Sequence, residues 1–207
     1  MRIPRHIGII PDGNRRWAVQ HGLQKQEGYG YGLAPGLALF KQATAYGIEE
    51  ISYYGFTAEN CKRPKAQQQA FQQACIDAVE LLKGEAAGLR VIGNTQSDCF
   101  PKELLPYTER TYLGGGKGTR VNFLVNYGWE WDLFDGTKDQ RAWHSRDVSR
   151  IDLVIRWGGM RRLSGFLPVQ CVYADFYVVD ALWPDFAPQH LEQALAWYDR
   201  QDVTLGG

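Results

Sequence analysis

Hydrophobic runs and alternating patterns divide the chain into strands and helices that follow one another. Short apolar or alternating runs predict six strands, at residues 6–10, 48–56, 89–93, 119–128, 151–159 and 174–186. Helical spacing, with proline or glycine at several ends, predicts helices at residues 15–21, 34–46, 64–83, 101–112 and 188–200. Strands that alternate with helices are typical of a parallel sheet. The sequence therefore predicts an α/β fold: a single domain over residues 1–207, with a six-stranded, mostly parallel central sheet and helices on both faces.

Charge, apolar run length and cysteine spacing indicate which partners and which cellular compartment to expect. The formal net charge is zero, so no overall field favours nucleic acid or an anionic membrane, and we expect neither as a partner. The apolar runs fall well short of the ~20 residues of a membrane helix, and the first residues lack the pattern of an export signal. The four cysteines have no metal-ligand spacing. We expect free thiols and a cytoplasmic protein without a transmembrane segment.

Two glycine-rich stretches look like nucleotide-binding loops but lack the required pattern. "GYGYGLAPG" at residues 28–36 has no GxGxxG register and does not directly follow a predicted strand. "GGGKGT" at residues 114–119 has Gly118 where a P-loop needs Ser or Thr for magnesium, and it leads into a strand rather than a helix. Neither a dinucleotide fold nor a P-loop is therefore predicted.

Acidic and basic residues follow two predicted strands. "PDGNRR" at residues 11–16 places Asp12 between the first strand and a pair of arginines, and "RWGGMRRLS" at residues 156–164 adds three arginines and two glycines. In parallel sheets, ligands bind where strands end. Guanidinium groups match phosphate oxygens, and glycines let backbone N–H groups approach an anion. Each segment alone also fits a surface ion pair or a solvated loop, but together they predict a diphosphate site.

Five blocks of sequence, in this order, resemble the cis-prenyltransferases, the undecaprenyl diphosphate synthase family. They are "HIGIIPDGNRRWA", "YYGFTAENCKRP", "LVNYG", "LVIRWGGMRRLSGFLPVQ" and "YADFYVVDALWPDF", and they span residues 6–186. The resemblance implies that an allylic diphosphate loses its diphosphate, and that an alkene of a second substrate captures the developing carbon cation. It also implies Mg²⁺ as the cofactor and a homodimer. Such a site must hold diphosphate, neutralise its growing charge and exclude water.

The resemblance assigns roles residue by residue. It implies that Asp12 holds Mg²⁺ against the leaving diphosphate and that Asp175, where the family usually has a glutamate, helps with the metal. It implies catalytic roles for Asp12, Asn60 and Arg16. It implies substrate contacts for Gly13, Asn14, Arg15, Arg16, Trp17, Thr57, Arg63, Arg156, Trp157, Arg162 and Ser164, with Arg156, Arg162 and Ser164 forming a second diphosphate site. Taken singly, Asp12 equally fits a turn, Asp175 a strand start and Trp17 an ordinary core position.

Several positions depart from the family pattern. Tyr29 and Leu33 lie near the places where the family commonly carries an arginine and a Gly-His pair. "RWGGM" stands for the usual "RTGGE", so Trp157 replaces a small residue, and "NYGWE" stands for "NYGGR", which introduces Trp129 and Glu130. Two added tryptophans remove volume, so we expect a shallow apolar pocket that Trp157 limits, and a short product.

The prediction of function follows from these departures. "PDGNRRW" and the "FLP" after Ser164 resemble the branch that makes lavandulyl or cyclolavandulyl diphosphate. We therefore expect a Mg²⁺-dependent prenyltransferase that ionises dimethylallyl or geranyl diphosphate and transfers the prenyl group to a second isoprenoid, giving a short, irregular (head-to-middle) product. Four alternatives stay open: regular cis-elongation with isopentenyl diphosphate, prenylation of an aromatic acceptor, a terpene cyclase, and a non-catalytic partner subunit.

Overall fold

The structure, a computed structural model, describes residues 1–135 and 143–202. Within these ranges one sheet of seven strands has the order β4-β3-β5-β2-β1-β6-β7. The strands are β1 (His6–Ile10), β2 (Glu50–Thr57), β3 (Ala87–Ile92), β4 (Thr111–Leu113), β5 (Thr119–Tyr127), β6 (Leu153–Trp157) and β7 (Asp175–Val179). Neighbouring strands are parallel, except that β4 runs antiparallel to β3. The predicted α/β class is confirmed, and all six predicted strands are present.

Helices connect the strands. They are α1 (Asn14–Gln20), α2 (Gly28–Tyr31), α3 (Leu33–Ala45), α4 (Lys65–Leu82), α5 (Trp129–Phe134) and α6 (Pro188–Tyr198). The predicted helix at residues 101–112 is wrong, because a 3₁₀ helix (Lys102–Tyr107) is followed there by β4. Pro106 lacks the N–H group that a longer helix needs at that point. No helix among the described residues has the length and apolar content of a transmembrane segment.

Side chains of the central strands alternate between two cores, one on each face of the sheet. Ile9 and Ile155 lie in the first core, which α3, α4 and α6 cover. Gly8 faces the second core, where a Cβ would lie 2.6 Å from the ring of Phe166. This second core is covered by α5 and by the irregular segments 143–152 and 158–174 on either side of β6. Because neighbouring residues of a strand point to opposite faces, Arg156 is on the second face.

A polar cluster fixes the amino edge of the sheet. The Oδ2 atom of Asp152, just before β6, accepts hydrogen bonds from the backbone N–H groups of Arg5 and His6 at 2.8 and 3.1 Å. The buried His6 ring contacts Ser52 Oγ through Nε2 at 2.9 Å. Burial lowers the pKa of His6, although the nearby Glu50 carboxylate acts to raise it. These contacts join β1 to β2 and to β6 at the edge where the strands begin.

The prediction of four free thiols is wrong for two of the cysteines. Cys61 and Cys99 form a disulfide with Cα atoms 6.1 Å apart, which is within the usual range. Cys75 and Cys171 are free and buried, and burial raises the pKa of each thiol to about 12. The disulfide links the 3₁₀ helix Ala58–Lys62, which follows β2, to the loop that follows β3.

Candidate active site

A cavity of about 1070 Å³ opens where β1, β2, β5 and β6 end. We call it the site cavity. Most of the residues predicted for the site line it, namely Asp12, Gly13, Asn14, Arg15, Arg16, Thr57, Asn60, Arg63, Arg156, Arg162 and Ser164. These residues lie at or just after the ends of β1, β2 and β6, and they meet because parallel strands end at one edge of the sheet.

Asp12 and Arg156 form the charged centre of the site cavity. Arg156 Nη2 donates a hydrogen bond to Asp12 Oδ2 at 2.8 Å. Arg156 Nη1 donates to Ser164 Oγ at 3.0 Å and also to the backbone carbonyl of Arg162. The side chain of Arg156 is 5% exposed, whereas that of Asp12 is 34% exposed. The buried guanidinium therefore orients the carboxylate. The Oδ1 atom of Asp12 lies 3.6 Å from Arg16 Nη2, and both residues line the site cavity.

Two glycines let the backbone close around this pair. Gly13 precedes α1 with a φ of 115°, and a Cβ there would lie 2.8 Å from the side chain of Leu182. Gly158 follows β6 with a φ of 85°, and a Cβ there would collide with the guanidinium of Arg16. Arg16 Nη2 instead donates to the carbonyl of Gly158 at 3.0 Å. Glycine at both positions allows α1 and the loop after β6 to meet.

Arg63 brings another guanidinium from the segment after β2. Its backbone N–H donates to the carbonyl of the buried Asn60 at 3.1 Å, and its Nη1 donates to the hydroxyl of Tyr29 at 3.3 Å. Burial lowers the pKa of Arg63; Tyr29 opposes this effect, and the nearby Arg15 cation adds to it. Arginine nevertheless stays charged in proteins. A bound anion would therefore relieve the repulsion between these two side chains.

Positive charge exceeds negative charge in the described lining of the site cavity. The cationic residues are Arg15, Arg16, Lys25, Arg63, Arg156 and Arg162, and the acidic ones are Asp12, Glu59 and Glu130. The formal net charge of the whole chain is zero, so this excess is local. Guanidinium groups bind phosphate oxygens in a planar, two-pronged geometry. The arrangement is suited to phosphate or diphosphate groups.

Tyr54, Tyr127 and Lys25 also line the site cavity, and none of them was among the predicted site residues. The hydroxyl of Tyr54 donates to the carbonyl of Ser164 at 3.1 Å, and that of Tyr127 donates to Asp132 Oδ2 at 2.6 Å. Burial raises the pKa of both phenols, so both remain neutral. Their positions near the carboxyl ends of β2 and β5 could have indicated that Tyr54 and Tyr127 lie at the site.

Trp17 was expected to contact substrate, but the structure places it elsewhere. Its Nε1 donates to Asp185 Oδ1 at 2.7 Å, and its ring stacks on His21 with centroids 3.9 Å apart. Trp17 therefore connects α1 to the 3₁₀ helix Trp183–Asp185, and it is not part of the described lining of the site cavity. Trp17 thus supports the position of α1, and its expected contact with substrate stays a prediction.

Trp157, which was also expected to contact substrate, lies in the core instead. It is fully buried, its ring centroid lies 4.8 Å from that of Trp183, and its Nε1 lies 3.3 Å from His190 Nδ1. It follows Arg156 directly in β6, so it points to the opposite face of the sheet. Trp157 fills the first core under α6 and does not contribute to the described lining of the site cavity.

Asp175 lies at the wrong end of the sheet to share an ion with Asp12 of the same chain. It begins β7 and pairs with Leu153, which in turn pairs with Ile7 near the start of β1. Asp12 follows the end of β1, roughly 15 Å further along the strand direction. Burial raises the pKa of Asp175. Asp12 and Asp175 of one chain therefore do not share an ion, because Asp175 starts a strand and the site lies where strands end. The metal role expected of Asp175 stays a prediction.

Asp12 alone still fits magnesium in the presence of a phosphorylated ligand. In the described residues no group of three or more His, Cys, Asp or Glu side chains is placed to hold a metal ion. Mg²⁺ commonly uses one or two carboxylates and takes its other ligands from phosphate oxygens and water. The partly exposed carboxylate of Asp12, surrounded by arginines, has this character.

A second, apolar cavity of about 90 Å³ lies between α3, α4 and the sheet. Leu33, Phe40, Val79 and Phe123 are among the residues that line it. Pockets for small molecules commonly measure about 300–1,000 Å³, so this one is small. Trp157 is not among the residues that line it, and the expectation of a shallow pocket with a short product stays a prediction.

The fold and the site together define an α/β protein whose cavity at the carboxyl edge of the sheet has the charge that phosphorylated ligands require. The family model described as putative undecaprenyl diphosphate synthase matches residues 10–206. The chain therefore belongs to the undecaprenyl diphosphate synthase family, the cis-prenyltransferases, and it is a prenyltransferase.

Similar proteins cover almost the whole chain. The ditrans,polycis-undecaprenyl-diphosphate synthase ((2E,6E)-farnesyl-diphosphate specific) of Escherichia coli K12 is 31% identical over 98% of this chain and 90% of its own. That of Haemophilus ducreyi is 30% identical over 99% of this chain and 95% of its own. The crystal structure of lavandulyl diphosphate synthase from Lavandula x intermedia in complex with dimethylallyl diphosphate has a TM-score of 0.85 and 25% identity, covering 99% of this chain and 98% of that one. These matches confirm the fold.

Proposed function

We propose that the protein is a Mg²⁺-dependent enzyme that ionises dimethylallyl or geranyl diphosphate and transfers the prenyl group to a second isoprenoid. The product is then a short, irregular (head-to-middle) prenyl diphosphate. The observation that carries the proposal is the contact of Asp12 with the buried Arg156, beside Ser164, in a cavity with excess positive charge. The small apolar cavity and the likeness to lavandulyl diphosphate synthase, solved with dimethylallyl diphosphate, support a short donor.

In this proposal the donor diphosphate binds near Asp12, Arg16 and Arg63. The allylic C–O bond breaks, and its electron pair leaves with the diphosphate. Guanidinium groups that are already in place stabilise the negative charge that develops there. Mg²⁺, held by Asp12 and by diphosphate oxygens, would supply further charge neutralisation for the leaving group.

The second substrate binds on the other side of Asp12, at Arg156, Arg162 and Ser164. The π electrons of its alkene form the new C–C bond with the allylic carbon. The resulting cation then loses a proton, which the released diphosphate can accept. The buried rings of Tyr54 and Tyr127 line this part of the cavity and exclude water that would otherwise capture the cation.

One incubation series tests the proposal. The protein and Mg²⁺ are mixed with dimethylallyl or geranyl diphosphate, with and without isopentenyl diphosphate, and the products are identified by mass spectrometry. A prenyl diphosphate formed without isopentenyl diphosphate supports the proposal. An alcohol or a hydrocarbon would instead indicate hydrolysis or a cyclase, and no turnover with any donor would indicate a partner subunit.

Regular cis-elongation is the second candidate. The similarity to undecaprenyl diphosphate synthases that are specific for (2E,6E)-farnesyl diphosphate favours it. Products that form only with isopentenyl diphosphate and grow by one isoprene unit at a time would establish elongation. An added aromatic acceptor in the same series tests prenylation of a ring.

We also propose a homodimer, as the family resemblance implies. Val169, Val172 and Tyr173 are 40%, 66% and 59% exposed in one short segment, and such a run of exposed apolar residues commonly marks a contact surface. Sedimentation velocity distinguishes a dimer from a monomer. The cytoplasmic location stays a prediction.

A further inference from the structure

The two cavities lie on either side of one group of aromatic side chains. On α4, Phe71 lines the site cavity and Val79 lines the apolar cavity. On β2, Thr57 lines the site cavity and Tyr53 lines the apolar one. Two elements that run past both cavities therefore change from one lining to the other along their length.

The α2–α3 segment shows the same change. Tyr29 lines the site cavity, whereas Leu33 and Gly36, further along the chain, line the apolar cavity. Among the described residues none lines both cavities. The side chains between the two linings therefore form a partition.

Tyr29, Phe71 and Phe56 make up this partition, which we call the aromatic wall. The rings of Tyr29 and Phe71 stack with centroids 3.7 Å apart and planes 25° apart, and Phe56 meets Phe71 at 5.1 Å. Tyr29 is 5% exposed and Phe56 is fully buried. Cys75, one helical turn beyond Phe71, is 3% exposed and belongs to the same core as Phe56. Such close packing leaves no passage for a prenyl chain.

Contacts with the diphosphate-binding residues hold the wall in place. Arg63 Nη1 donates to the hydroxyl of Tyr29, and the guanidinium carbon of Arg63 lies 5.1 Å from the ring centre of Phe71. Gly28 brings α2 directly against α1, because a Cβ at this position would overlap the carbonyl of Asn14. The wall therefore stands next to an arginine that faces the site cavity.

We propose that the ring of Tyr29, stacked on Phe71, closes the passage from the site cavity to the apolar cavity and so limits the donor to a short prenyl chain. This inference rests on the proposed function, because it concerns the donor of that reaction. A donor whose diphosphate lies at Arg63 meets the wall a short distance from its headgroup. Without the ring, the apolar cavity becomes continuous with the site and a longer chain can enter it.

A competition between two donors tests this inference. Wild type, Tyr29→Ala and Tyr29→Phe are each given equal amounts of dimethylallyl and farnesyl diphosphate with Mg²⁺ and acceptor, and the product ratio gives the ratio of kcat/KM. We expect Tyr29→Ala to shift that ratio towards farnesyl diphosphate by about tenfold or more, as expected when a steric block in an apolar pocket is removed. Tyr29→Phe keeps the ring and loses only the hydrogen bond with Arg63, so we expect it to keep the wild-type ratio.

Two further variants test the same inference at positions other than Tyr29. Phe71→Ala opens the wall from α4, where the side chain is only partly buried, and we expect the same shift if Tyr29→Ala does not fold. Leu33→Ala enlarges the apolar cavity behind the wall, so we expect no shift by itself and an additional shift when it is combined with Tyr29→Ala. An unchanged ratio in folded Tyr29→Ala and Phe71→Ala overturns the inference, as does an equal shift in Tyr29→Phe.

A binding measurement separates this inference from the proposed function. The thiolodiphosphate analogues of both donors cannot ionise readily, and calorimetry gives the ratio of their dissociation constants for each variant. If wild type shows no turnover but binds the short analogue more tightly, and Tyr29→Ala reverses the preference, the wall is supported and the proposed reaction is not. If wild type already binds the farnesyl analogue more tightly than the dimethylallyl analogue, the inference is wrong.

Discussion

The guanidinium of Arg156 donates to the carboxylate of Asp12 across 2.8 Å, and this bond joins the end of β6 to the turn after β1. The strand register places Arg156 beside Ile10, two residues before Asp12. One partner is buried and the other is partly open to the site cavity. Asp12 thus has two roles: it accepts the hydrogen bond of a buried arginine, and it places a carboxylate in the site cavity. Substitutions of Asp12 can separate the effect on stability from the effect on activity.

Asp12→Asn is expected to lower kcat by about 10²–10³-fold or more, because a neutral amide replaces the carboxylate that would hold Mg²⁺ against the leaving diphosphate. Its stability should stay close to that of wild type, since the amide oxygen still accepts the hydrogen bond from Arg156. Asp12→Ala should lose activity as well, but it should also lose about 1–3 kcal/mol of unfolding free energy, because a buried donor is left without its acceptor. Steady-state kinetics and urea unfolding measure both effects. A near-wild-type rate in either variant would show that Asp12 has no metal role.

Arg162 and its neighbour Arg161 offer a matched pair. Both arginines line a separate surface depression on the second face, but only Arg162 also lines the site cavity. We expect Arg162→Ala to raise the KM of the second phosphorylated substrate about tenfold or more, the cost of a lost hydrogen bond between charged groups. Arg161→Ala should leave that KM within about twofold of wild type. Equal effects in the two variants would contradict the assignment of the second diphosphate site.

Trp157→Ala is expected to lower the free energy of unfolding by about 3–5 kcal/mol, because it leaves a large void among Trp183, Phe186 and His190. The donor preference should not change, since Trp157 fills the first core rather than the site cavity. Trp129→Ala is the matched control: that indole is 42% exposed and lines the site cavity, so it should change kinetics more than stability. If Trp157→Ala folds stably but forms different products, Trp157 does limit the substrate pocket, and its assignment to the core alone is contradicted.

Acidification should lower stability through His6. Burial lowers the pKa of His6 in the folded protein, so the unfolded chain binds a proton first as the pH falls. The free energy of unfolding should therefore decrease below about pH 6.5, by at most about 1.4 kcal/mol per pH unit. The Glu50 carboxylate accepts from the Ser149 hydroxyl, and its pKa is lowered overall even though burial acts to raise it, so its contribution is lost only at lower pH.

Comparison with His6→Asn isolates that contribution. His190, whose pKa is also lowered by burial, is present in both proteins and cancels in the difference. Urea unfolding between pH 7.5 and 5 gives the two stability profiles. Parallel profiles for wild type and His6→Asn would refute the role of His6.

The sequence predicted the fold well because its strongest patterns are those that the sheet requires. Apolar runs marked all six parallel strands, and the DGNRR and RWGGMRR segments pointed to one edge. The short strand β4 was missed, since three residues carry no periodicity and the preceding residues resembled a helix. The pairing of Cys61 with Cys99 depends on how the segments after β2 and β3 meet, which no spacing reveals.

At the site, the residue types were predicted well, but the direction of some side chains and their position along the strands were not. Arg156 and Trp157 are neighbours in β6 and must point to opposite faces, so both could not line one cavity. Asp175 begins its strand, whereas Asp12 follows one. Tyr29 was noted as unusual, but its stacking on Phe71 joins α2 to α4 and could not be seen before the helices were placed.

Asp152 at the opposite edge has a consequence for anyone who redesigns this enzyme. Its carboxylate aligns the beginnings of β1 and β6, and a slip of one residue between them would turn an indole towards the ligand where a cation now stands. The geometry of the site at the carboxyl edge of the sheet therefore depends on hydrogen bonds made at its amino edge. Libraries that reshape the pocket are best built with that distant carboxylate left untouched.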